Sequence, residues 1–342
     1  MLKITIAPTA FKGCLDPVEV GLAVAKGILE ATRAEIKFLP VSDGGDGFVK
    51  IIETQIKSTR INLKVHDPLF RPIKTHYLLA GNTAYIELAK IAGLALLKER
   101  ERNPLKTTTY GVGEAILDAQ RKGAKRIVIG VGGSATCDGG LGAICAIGAK
   151  ILDKHGKELL PTGESLIKIA TIESTNKLNC EIIVVTDVYN PLVGEDGAAK
   201  VYAPQKGATK KDVELLEKGM LNLLNVTGRC DLIKNEMLGA AGGFPFSMLH
   251  FFGAKIYHSS NYIMNLINFE SSAKYSDYII TGEGKLDHAT SYGKCVHTIL
   301  KIAQKYNIPV IGIFGQIDKN AKTLLTVSYT HLRAHETRHD LV

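Results

Sequence analysis

One segment of the chain joins a strand, a glycine-rich loop and a helix in immediate succession. The apolar run Arg126–Gly130 is typical of a buried strand, and a helical pattern follows over residues 143–150. The intervening loop, Gly130–Gly142, holds six glycines in thirteen residues. A strand followed by a tight loop and a helix is the building unit of α/β proteins. This segment therefore predicts an α/β fold.

The same loop leaves backbone N–H groups bare of side chains close to the start of a helix. Such groups attract anions, because they are unpaired and the helix dipole is positive at that end. Asp138 would repel a bare phosphate, so a cation or a substrate hydroxyl is expected beside it. Taken alone, the loop is equally compatible with a turn that lets the helix pack closely on the sheet.

Two familiar nucleotide-binding motifs are excluded. The sequence contains no G-x-x-x-x-G-K-[ST] pattern, so it has no Walker A loop. Ala135 stands where a dinucleotide fingerprint has its third glycine. Dinucleotide and nucleotide-sugar enzymes are therefore disfavoured.

Strand and helix patterns alternate along most of the chain. The predicted strands are Lys3–Pro8, Glu35–Val41, Arg60–His66, Lys74–Ala80, Arg126–Gly130, Glu181–Thr186, Asp277–Thr281 and Pro309–Phe314. The predicted helices are Pro17–Ala31, Phe48–Lys57, Gly111–Lys122, Lys211–Leu224 and Gly293–Tyr306. The first two and last two strands suggest one parallel sheet covered on both faces, with the middle of the chain inserted into it. Two α/β domains are expected, and clefts between domains commonly bind ligands.

Composition and charge exclude several classes of protein. No apolar run reaches the roughly 18 residues that a membrane span needs, so no membrane partner is expected. The six cysteines are scattered without a C-x-x-C pair, which argues against thiolate metal sites and indicates a cytoplasmic location. The net charge of +8 comes from dispersed basic residues, and the chain has no Trp, which argues against nucleic-acid binding.

Five further segments place charged or hydroxyl side chains beside glycines or at strand ends. They contain Lys12, the pair Asp43 and Asp46, the run Thr107–Thr109, the group Asp187, Asn190 and Lys206, and the group Glu283, Lys285 and Asp287. Lysine can hold a phosphate as a point charge, and paired carboxylates can take Mg²⁺. Each residue type also has a structural alternative, namely a solvated lysine, an Asp-Gly turn or a helix cap.

These five segments and the glycine-rich loop form an ordered series of six motifs along the chain. Their motifs read Phe-Lys-Gly after Ala-Pro, Asp-Gly-Gly-Asp-Gly, Asn-Pro-Leu-x-Thr-Thr-Thr-Tyr-Gly, Gly-Gly-Ser-Ala-Thr-x-Asp-Gly-Gly, Asp-Val-x-Asn-Pro-Leu with Pro-Gln-Lys-Gly-Ala, and Thr-Gly-Glu-Gly-x-x-Asp. The set resembles the bacterial glycerate kinases that lack a P-loop. That resemblance implies ATP-dependent phosphorylation of D-glycerate with Mg²⁺, with 2-phosphoglycerate as the expected product. The sequence leaves open whether the protein forms a homodimer.

The resemblance also implies a fold, namely a flavodoxin-like parallel-sheet domain interrupted by a second, mixed α/β domain. Applied to this chain, it assigns residues 1–60 and 270–327 to the flavodoxin-like domain and residues 61–269 to the insertion.

With the resemblance as a guide, roles can be suggested for individual residues. Catalytic roles are expected for Asp187, Lys12 and Asn190, with Asp187 as the base or orienting group at the attacked hydroxyl. Substrate and phosphate binding are expected at Gly132, Gly133, Ser134, Thr136, Lys206, Lys285 and Thr108. Magnesium ligands are expected among Asp43, Asp138, Glu283 and Asp287. Spacing alone leaves open which carboxylate is the base and which holds the metal.

Two features depart from the family pattern. The first motif of the family usually reads Ala-Pro-Asp-Ser-Phe-Lys, whereas this chain has Thr9 and Ala10 and so lacks one carboxylate. Residues 328–342 carry three of the ten histidines without strand or helix periodicity, and we interpret them as a non-native tail. Two alternatives stay open: a catalytically impaired small-molecule-binding homologue, and a kinase for another small hydroxy acid.

Overall fold

The computed structural model describes residues 1–11, 14–42, 44–45, 47–173, 176–286, 295–318 and the backbone of 329–333. The strands are β1 (Leu2–Pro8), β2 (Ala34–Phe38), β3 (Thr59–His66), β4 (Pro72–Ala80), β5 (Thr83–Glu87), β6 (Arg126–Gly130), β7 (Lys150–Leu152), β8 (Thr171–Glu173), β9 (Glu181–Thr186), β10 (Lys255–His258), β11 (Tyr278–Leu286), β12 (Val310–Ile317) and β13 (Tyr329–Arg333).

The α-helices are α1 (Pro17–Ala31), α2 (Phe48–Gln55), α3 (Ala89–Ala92), α4 (Tyr110–Arg121), α5 (Leu141–Ala146), α6 (Ala198–Tyr202), α7 (Lys210–Val226), α8 (Phe244–Phe252), α9 (Ser259–Leu266), α10 (Phe269–Ala273) and α11 (Cys295–Lys305). Short 3-10 helices lie at Leu94–Leu96, Glu99–Glu101, Gly163–Lys168, Pro204–Lys206, Cys230–Leu232 and Ala240–Gly242.

The chain divides into two compact units. The first unit consists of Met1–Asp43 with Ser259–Val342, and the second is Gly44–His258. The sequence leads us to expect boundaries after residues 60 and 269 instead. Helix α2 belongs to the second unit because it packs on β4 and β5, and α9 belongs to the first because it packs on α10 and α11.

The first unit is built on a parallel sheet in the order β2-β1-β11-β12-β13. Counted within this unit, the order is 2-1-3-4-5, which is the flavodoxin-like order. Its buried apolar side chains include Ile4, Ile6, Ile280, Leu286, Val296 and Phe314. The predicted flavodoxin-like sheet is therefore confirmed.

Helix α1 begins and ends where the sequence predicts. The carboxylate of Asp16 accepts hydrogen bonds from the N–H groups of Val18 and Glu19, at 2.9 Å and 3.1 Å. The Glu19 carboxylate accepts from the N–H of Asp16 in return, which completes a capping box. Pro17 at the first helical position has no N–H to satisfy.

Strand β11 is longer than predicted, and this corrects the environment expected for two site residues. The sequence predicts that the strand ends at Thr281, with Glu283 and Lys285 in a loop beyond it. In the structure both residues lie within β11, because the backbone from Gly282 to Leu286 pairs with β12. Glu283 and Lys285 lie two residues apart and so on the same face of the strand, yet Glu283 is buried, whereas Lys285, nearer the end of β11, is exposed.

The C-terminal segment contributes an edge strand where the sequence shows no strand periodicity. The backbone of Tyr329–Arg333 pairs in parallel with Val310–Phe314 of β12. The unpaired N–H and C=O groups along that edge of β12 supply the partners for this pairing. The interpretation of residues 328–342 as non-native stays a prediction.

The second unit is built on a mixed sheet in the order β10-β9-β6-β5-β4-β3. Strands β10, β9, β6 and β5 are mutually parallel, whereas β4 and β3 form the predicted antiparallel hairpin. Strand β5 is absent from the predicted set, although all five of its residues are buried. A large apolar core packs on this sheet, and the predicted mixed α/β second unit is confirmed.

No helix in the described ranges is both long enough and apolar enough to cross a membrane.

Candidate functional site

Four parallel strands of the second unit end at the same edge of their sheet. Glu87 closes β5, Gly130 closes β6, Asp187 directly follows β9 and His258 closes β10. In parallel α/β sheets, ligands bind outside the carboxyl ends of the strands. This edge is therefore the candidate site of the second unit.

Two glycine-rich loops meet at this edge. The N–H of Gly132 donates to the carbonyl of Gly44 at 3.3 Å, and a Cβ on Gly132 would lie 2.4 Å from the Cα of Gly45. Only glycine at position 132 permits this approach of two backbones. Gly44 and Gly45 are thus neighbours of the loop after β6, although the two segments were identified separately in the sequence.

Lys206 lies inside the second unit and contacts the glycine loop directly. Its Nζ donates to Ser134 Oγ at 2.8 Å and to the carbonyl oxygen of Thr136 at 2.7 Å. The side chain is only 3% exposed, and burial lowers its pKa below the ordinary value. The loop after β6 and the 3-10 helix Pro204–Lys206 are therefore held together by an interior cation.

Two hydroxyl groups of the loop retain unused hydrogen-bonding capacity. Thr136 Oγ1 is buried and has no hydrogen-bond partner among the described residues. Ser134 Oγ accepts from Lys206, and within the described part of the chain its own hydrogen meets no acceptor. Buried polar atoms without partners are uncommon in folded proteins and usually have a specific explanation. Both hydroxyls can donate to an anionic ligand.

Asp138 is fully buried and fixes the loop from within. Its carboxylate accepts from the N–H and hydroxyl of Thr109 and from the N–H groups of Gly140 and Gly142. Burial raises the pKa of Asp138, and these four hydrogen bonds oppose that rise. These contacts are those of a residue that caps α5 and orders the loop. They do not favour the expected magnesium-binding role, since Oδ2 already accepts three hydrogen bonds.

The three threonines before α4, Thr107–Thr109, are also buried, and their side chains contact the same loop. Thr107 Oγ1 donates to the carbonyl of Ala135 at 3.0 Å. Thr108 Oγ1 accepts from the N–H of Tyr110 at 3.2 Å and lies against Gly142. Thr108, expected to bind substrate, is therefore observed as a turn-forming residue behind the loop, with only 1% of its surface exposed.

Asp187 lies at the end of β9 beside a stacked aromatic pair. The His258 Nε2 atom lies 3.2 Å from the carbonyl oxygen of Asp187, and the His258 ring stacks on Tyr189 at 4.6 Å between centroids. Burial lowers the pKa of His258, and the hydrogen bond to Asp187 opposes this shift. His258 thus supports the backbone at Asp187 in its neutral form.

Asn190 is held by two hydrogen bonds. Tyr202 donates its phenolic hydrogen to Asn190 Oδ1 at 2.6 Å, and Asn190 Nδ2 donates to the carbonyl of Asp196 at 2.8 Å. Burial, and next the charge of Asp187, raise the pKa of Tyr202 to about 12. Asn190 and Asp187 therefore share one neighbourhood, as their spacing in the sequence suggests.

A second glycine segment, Gly239–Gly243, links these parts and is missing from the predicted site. The N–H of Gly239 donates to the carbonyl of Asn190, and the carbonyl of Gly242 accepts from the N–H of Gly139. A Cβ on Gly242 would lie 2.1 Å from the carbonyl oxygen of Thr136. The density of glycines in this short stretch is the signal that could have identified it.

Glu87 is also missing from the predicted site. Its carboxylate accepts from the N–H of Val49 at 3.0 Å and from that of Gly47 at 3.4 Å. Gly47 caps α2 without a side chain, so Glu87 supplies the acceptor that the start of the helix needs. The sequence signal would have been an acidic residue at the end of strand β5.

In the first unit, the switch point of the flavodoxin-like order lies between β1 and β11, and two predicted residues, Glu283 and Lys285, lie in β11. Thr9 donates from both its N–H and its hydroxyl to the carbonyl of Gly282, at 2.9 Å and 3.1 Å. Glu283 is 9% exposed within β11. Lys285 forms an ion pair with Asp318 at 3.1 Å, and both side chains are more than 40% exposed.

Three predicted site residues, Lys12, Asp43 and Asp287, lie outside the described residues. Across the part of the chain that is described, no group of three His, Cys, Asp or Glu side chains is arranged to hold a metal ion.

Comparison with known proteins identifies related chains over nearly the full length. The family model described as "Glycerate kinase family" matches residues 4–337. A protein named glycerate kinase from Bacillus subtilis is 37% identical over 333 residues, which is 94% of this chain and 87% of that protein. A protein named glycerate 2-kinase from Escherichia coli is 36% identical, over 92% of this chain and 86% of that protein.

A solved structure has the same fold. The crystal structure of a chain assigned as glycerate kinase 2 from Salmonella typhimurium LT2 superposes with a TM-score of 0.82 at 33% identity. The match covers 98% of this chain and 92% of the other.

Proposed function

The chain belongs to the glycerate kinase family, and from this premise we propose that it transfers the γ-phosphoryl group of ATP to the 2-hydroxyl of D-glycerate. It is an enzyme, a glycerate kinase that phosphorylates glycerate with ATP. The choice of the 2-hydroxyl follows the relative named glycerate 2-kinase, which is 36% identical to this chain.

One observation carries the proposal, namely that the family match extends over residues 4–337. A match over nearly the whole chain includes both units and every segment that contributes to the candidate site. The alternatives, a catalytically impaired homologue and a kinase for another hydroxy acid, are separated from it by the assay below.

Anion binding is assigned to the loop after β6. The amide of Gly133 and the hydroxyls of Ser134 and Thr136 would receive a phosphate group of ATP or the carboxylate of glycerate, whereas the N–H of Gly132 already donates to the carbonyl of Gly44. The unused donors of the two hydroxyls support this assignment. Phosphoryl transfer depends mostly on positioning and charge neutralisation, and both are available from such donors.

Proton handling is assigned to Asp187. Its position at the carboxyl end of β9 is where α/β proteins place reacting side chains. In the proposed reaction, Asp187 accepts the proton of the attacked hydroxyl of glycerate as that oxygen bonds to the γ-phosphorus, and the bond from the γ-phosphorus to the bridging oxygen breaks so that ADP leaves. Asn190, held in place by Tyr202 and by the carbonyl of Asp196, would orient the same hydroxyl.

Magnesium is proposed as the ion that accompanies ATP, where it would neutralise charge on the phosphate oxygens. The candidate ligands are Glu283 in the first unit and the carboxylates of Asp43 and Asp287. The described residues do not form a metal site by themselves, and the roles of Asp187 and the glycine loop are independent of it. Lys12 and Lys285 remain candidates for phosphate binding, and a cytoplasmic location and a homodimer remain expectations.

A coupled assay of ADP release tests the activity. We expect ADP formation that requires D-glycerate, together with a product whose phosphorus signal couples to the proton on carbon 2 in NMR. A panel of other small hydroxy acids tests the substrate. ADP formation that is independent of every acid in the panel would contradict the proposal.

Replacement of the proposed base tests the mechanism. Asp187→Asn should lower kcat by about 100-fold or more, because general base catalysis contributes about 10²–10⁴ in rate. ATP binding, measured by calorimetry, should stay close to that of the unaltered enzyme. Glu195→Gln, at an exposed carboxylate of the same connection, is the control and should retain turnover. Near-normal turnover of Asp187→Asn would rule out the assignment.

A further inference from the structure

We propose that Lys206 is a positioning residue that acts through Ser134, orienting the Ser134 hydroxyl so that it donates to an anionic oxygen bound at the glycine loop. This inference rests on the proposed function. It adds the way in which the buried ammonium group of Lys206 contributes to ligand binding. The ligand class is an oxyanion, either a phosphate group of ATP or the carboxylate of glycerate.

The direction of the hydrogen bond follows from the chemistry of the two groups. A lysine ammonium has three donors and no acceptor, whereas a serine hydroxyl both donates and accepts. In the contact of 2.8 Å between Lys206 Nζ and Ser134 Oγ, the lysine must therefore donate. One lone pair of Ser134 is thereby occupied, and its hydrogen is left for another acceptor.

The protein supplies no acceptor for that hydrogen in the part of the chain that the structure describes. Ser134 is 7% exposed as a residue, and Lys206 is the only hydrogen-bond partner of its hydroxyl there. Gly133, the residue before it, is exposed, so the loop reaches solvent beside this hydroxyl. A ligand arriving at Gly132 and Gly133 would supply the missing acceptor.

Lys206 itself is poorly placed to touch a ligand. Its side chain is 3% exposed, and its second hydrogen bond goes to the carbonyl of Thr136, within the loop. Among the described residues it forms no ion pair within 4.0 Å, and the buried carboxylate of Asp138 acts on its charge only from a greater distance. The positive charge thus acts on the ligand through the hydroxyl of Ser134.

A double-mutant cycle tests whether Lys206 acts through Ser134. We expect Ser134→Ala and Lys206→Met each to lower kcat/KM by about 10- to 100-fold, the range for a hydrogen bond to a charged group. The kcat/KM of the double variant should lie no more than about 3-fold below that of the less active single variant. The effects of residues that act as a unit are not additive. Lys210→Met, at an exposed lysine, is the matched control and should leave kcat/KM unchanged. If the two losses multiply, or if Ser134→Ala keeps full kcat/KM, the proposal is wrong.

A second cycle covers the case in which Lys206→Met does not fold, as judged by the loss of a cooperative urea transition. Lys206→Gln then takes its place, because its side-chain amide keeps an N–H donor for Ser134 without the charge. We expect Lys206→Gln to lose less kcat/KM than Ser134→Ala and to add nothing in the Ser134→Ala background. A further loss in that background would overturn the proposal.

Separate Michaelis constants distinguish the two sources of the oxyanion. A rise of KM for ATP in Ser134→Ala identifies a nucleotide phosphate, and a rise of KM for D-glycerate identifies the carboxylate. The rise in unfolding temperature caused by ATP is measured in parallel on each variant. An unaltered protein that is stabilised by ATP but inactive with D-glycerate contradicts the proposed function alone, whereas additive losses in an active enzyme contradict only the role of Lys206.

Discussion

The carboxylate of Asp138 accepts two hydrogen bonds from Thr109, one from its backbone N–H at 2.7 Å and one from its hydroxyl at 2.8 Å. The same hydroxyl accepts the N–H of Ala143 at 3.0 Å, so its hydrogen must lie on the Asp138 side. A continuous chain of hydrogen bonds therefore joins the start of α4 to the start of α5. This chain fixes the glycine loop from the side of the core.

Thr109→Val should lower the free energy of unfolding by about 2–4 kcal/mol, because it removes two buried hydrogen bonds worth about 1–2 kcal/mol each in this setting. Valine preserves the shape of threonine, so the loss reports the hydroxyl. Urea denaturation measures it. Thr54→Val, at an exposed threonine, is the control and should change stability by less than about 0.5 kcal/mol. Equal effects of the two substitutions would contradict the role of Thr109.

Gly132→Ala should destabilise the second unit by about 1–3 kcal/mol, the usual cost of overpacking. The added Cβ would lie 2.4 Å from the Cα of Gly45, and neither backbone has a side chain that could move away. Gly27→Ala is the control, for which a change of stability in the opposite direction is expected. It adds a Cβ in open space within α1, so it should stabilise by about 0.5–1 kcal/mol. Urea midpoints of both variants test the pair together.

The local signals in the sequence predict individual elements well. Helix α1 is predicted to the residue, because Asp16, Pro17 and Glu19 are start signals that act within one turn. Strand β6 and the hairpin of β3 and β4 follow from short-range patterns in the same way. The limit of this reasoning is visible in β11, whose extension beyond Thr281 depends on pairing with β12.

In the candidate site, too, the sequence predicts local features well and contacts between distant residues poorly. Glycine density locates the loop after β6, yet it cannot show that Asp138 faces Thr109, which lies 29 residues earlier. The contact between Lys206 and Ser134 spans 72 residues, and Glu87 caps a helix that starts about 40 residues before it. Such contacts depend on the tertiary fold. Residue types in the sequence therefore predict which residues belong to the site better than they predict which residues form hydrogen bonds with one another.

Tyr202→Phe should lower kcat by about 5-fold, since one neutral hydrogen bond is worth about 1 kcal/mol. The substitution removes the donor to Asn190 Oδ1 and leaves the bond from Asn190 to the carbonyl of Asp196 in place. Steady-state kinetics with D-glycerate and ATP measure the change. Tyr275→Phe, at a tyrosine that is 70% exposed, is the control and should retain full turnover. Unchanged kcat in Tyr202→Phe would mean that Asn190 does not need this partner.

Thr9→Asp should destabilise the first unit by about 1–2 kcal/mol, although an acid is usual at this position in the family. The Thr9 hydroxyl donates to the carbonyl of Gly282 at 3.1 Å, and an ionised carboxylate can only accept. Loss of this bond places two acceptors side by side. Thr9→Ser keeps the donor and should stay within about 0.5 kcal/mol of the unaltered protein. Equal stability of Thr9→Asp and Thr9→Ser would show that the contact with Gly282 is dispensable.

The stability of the protein should fall as the pH drops below 6.5, in part because of His258. Burial lowers the pKa of His258 in the folded protein below its ordinary value of 6.5, despite the opposing hydrogen bond to Asp187. As the pH falls, the unfolded chain therefore takes up a proton at this residue before the folded protein does, and unfolding becomes easier. Burial lowers the pKa values of His76, His250 and His297 as well, so they contribute to the same slope.

His258→Gln should make this slope shallower by up to about 1.4 kcal/mol per pH unit, the maximum for one proton. Urea denaturation at a series of pH values between about 5 and 7.5 measures the slope. The comparison of slopes separates the titration from the loss of the stacking contact with Tyr189, because that loss shifts stability equally at every pH. An unchanged slope in His258→Gln would show that His258 takes up its proton equally in the folded and unfolded states.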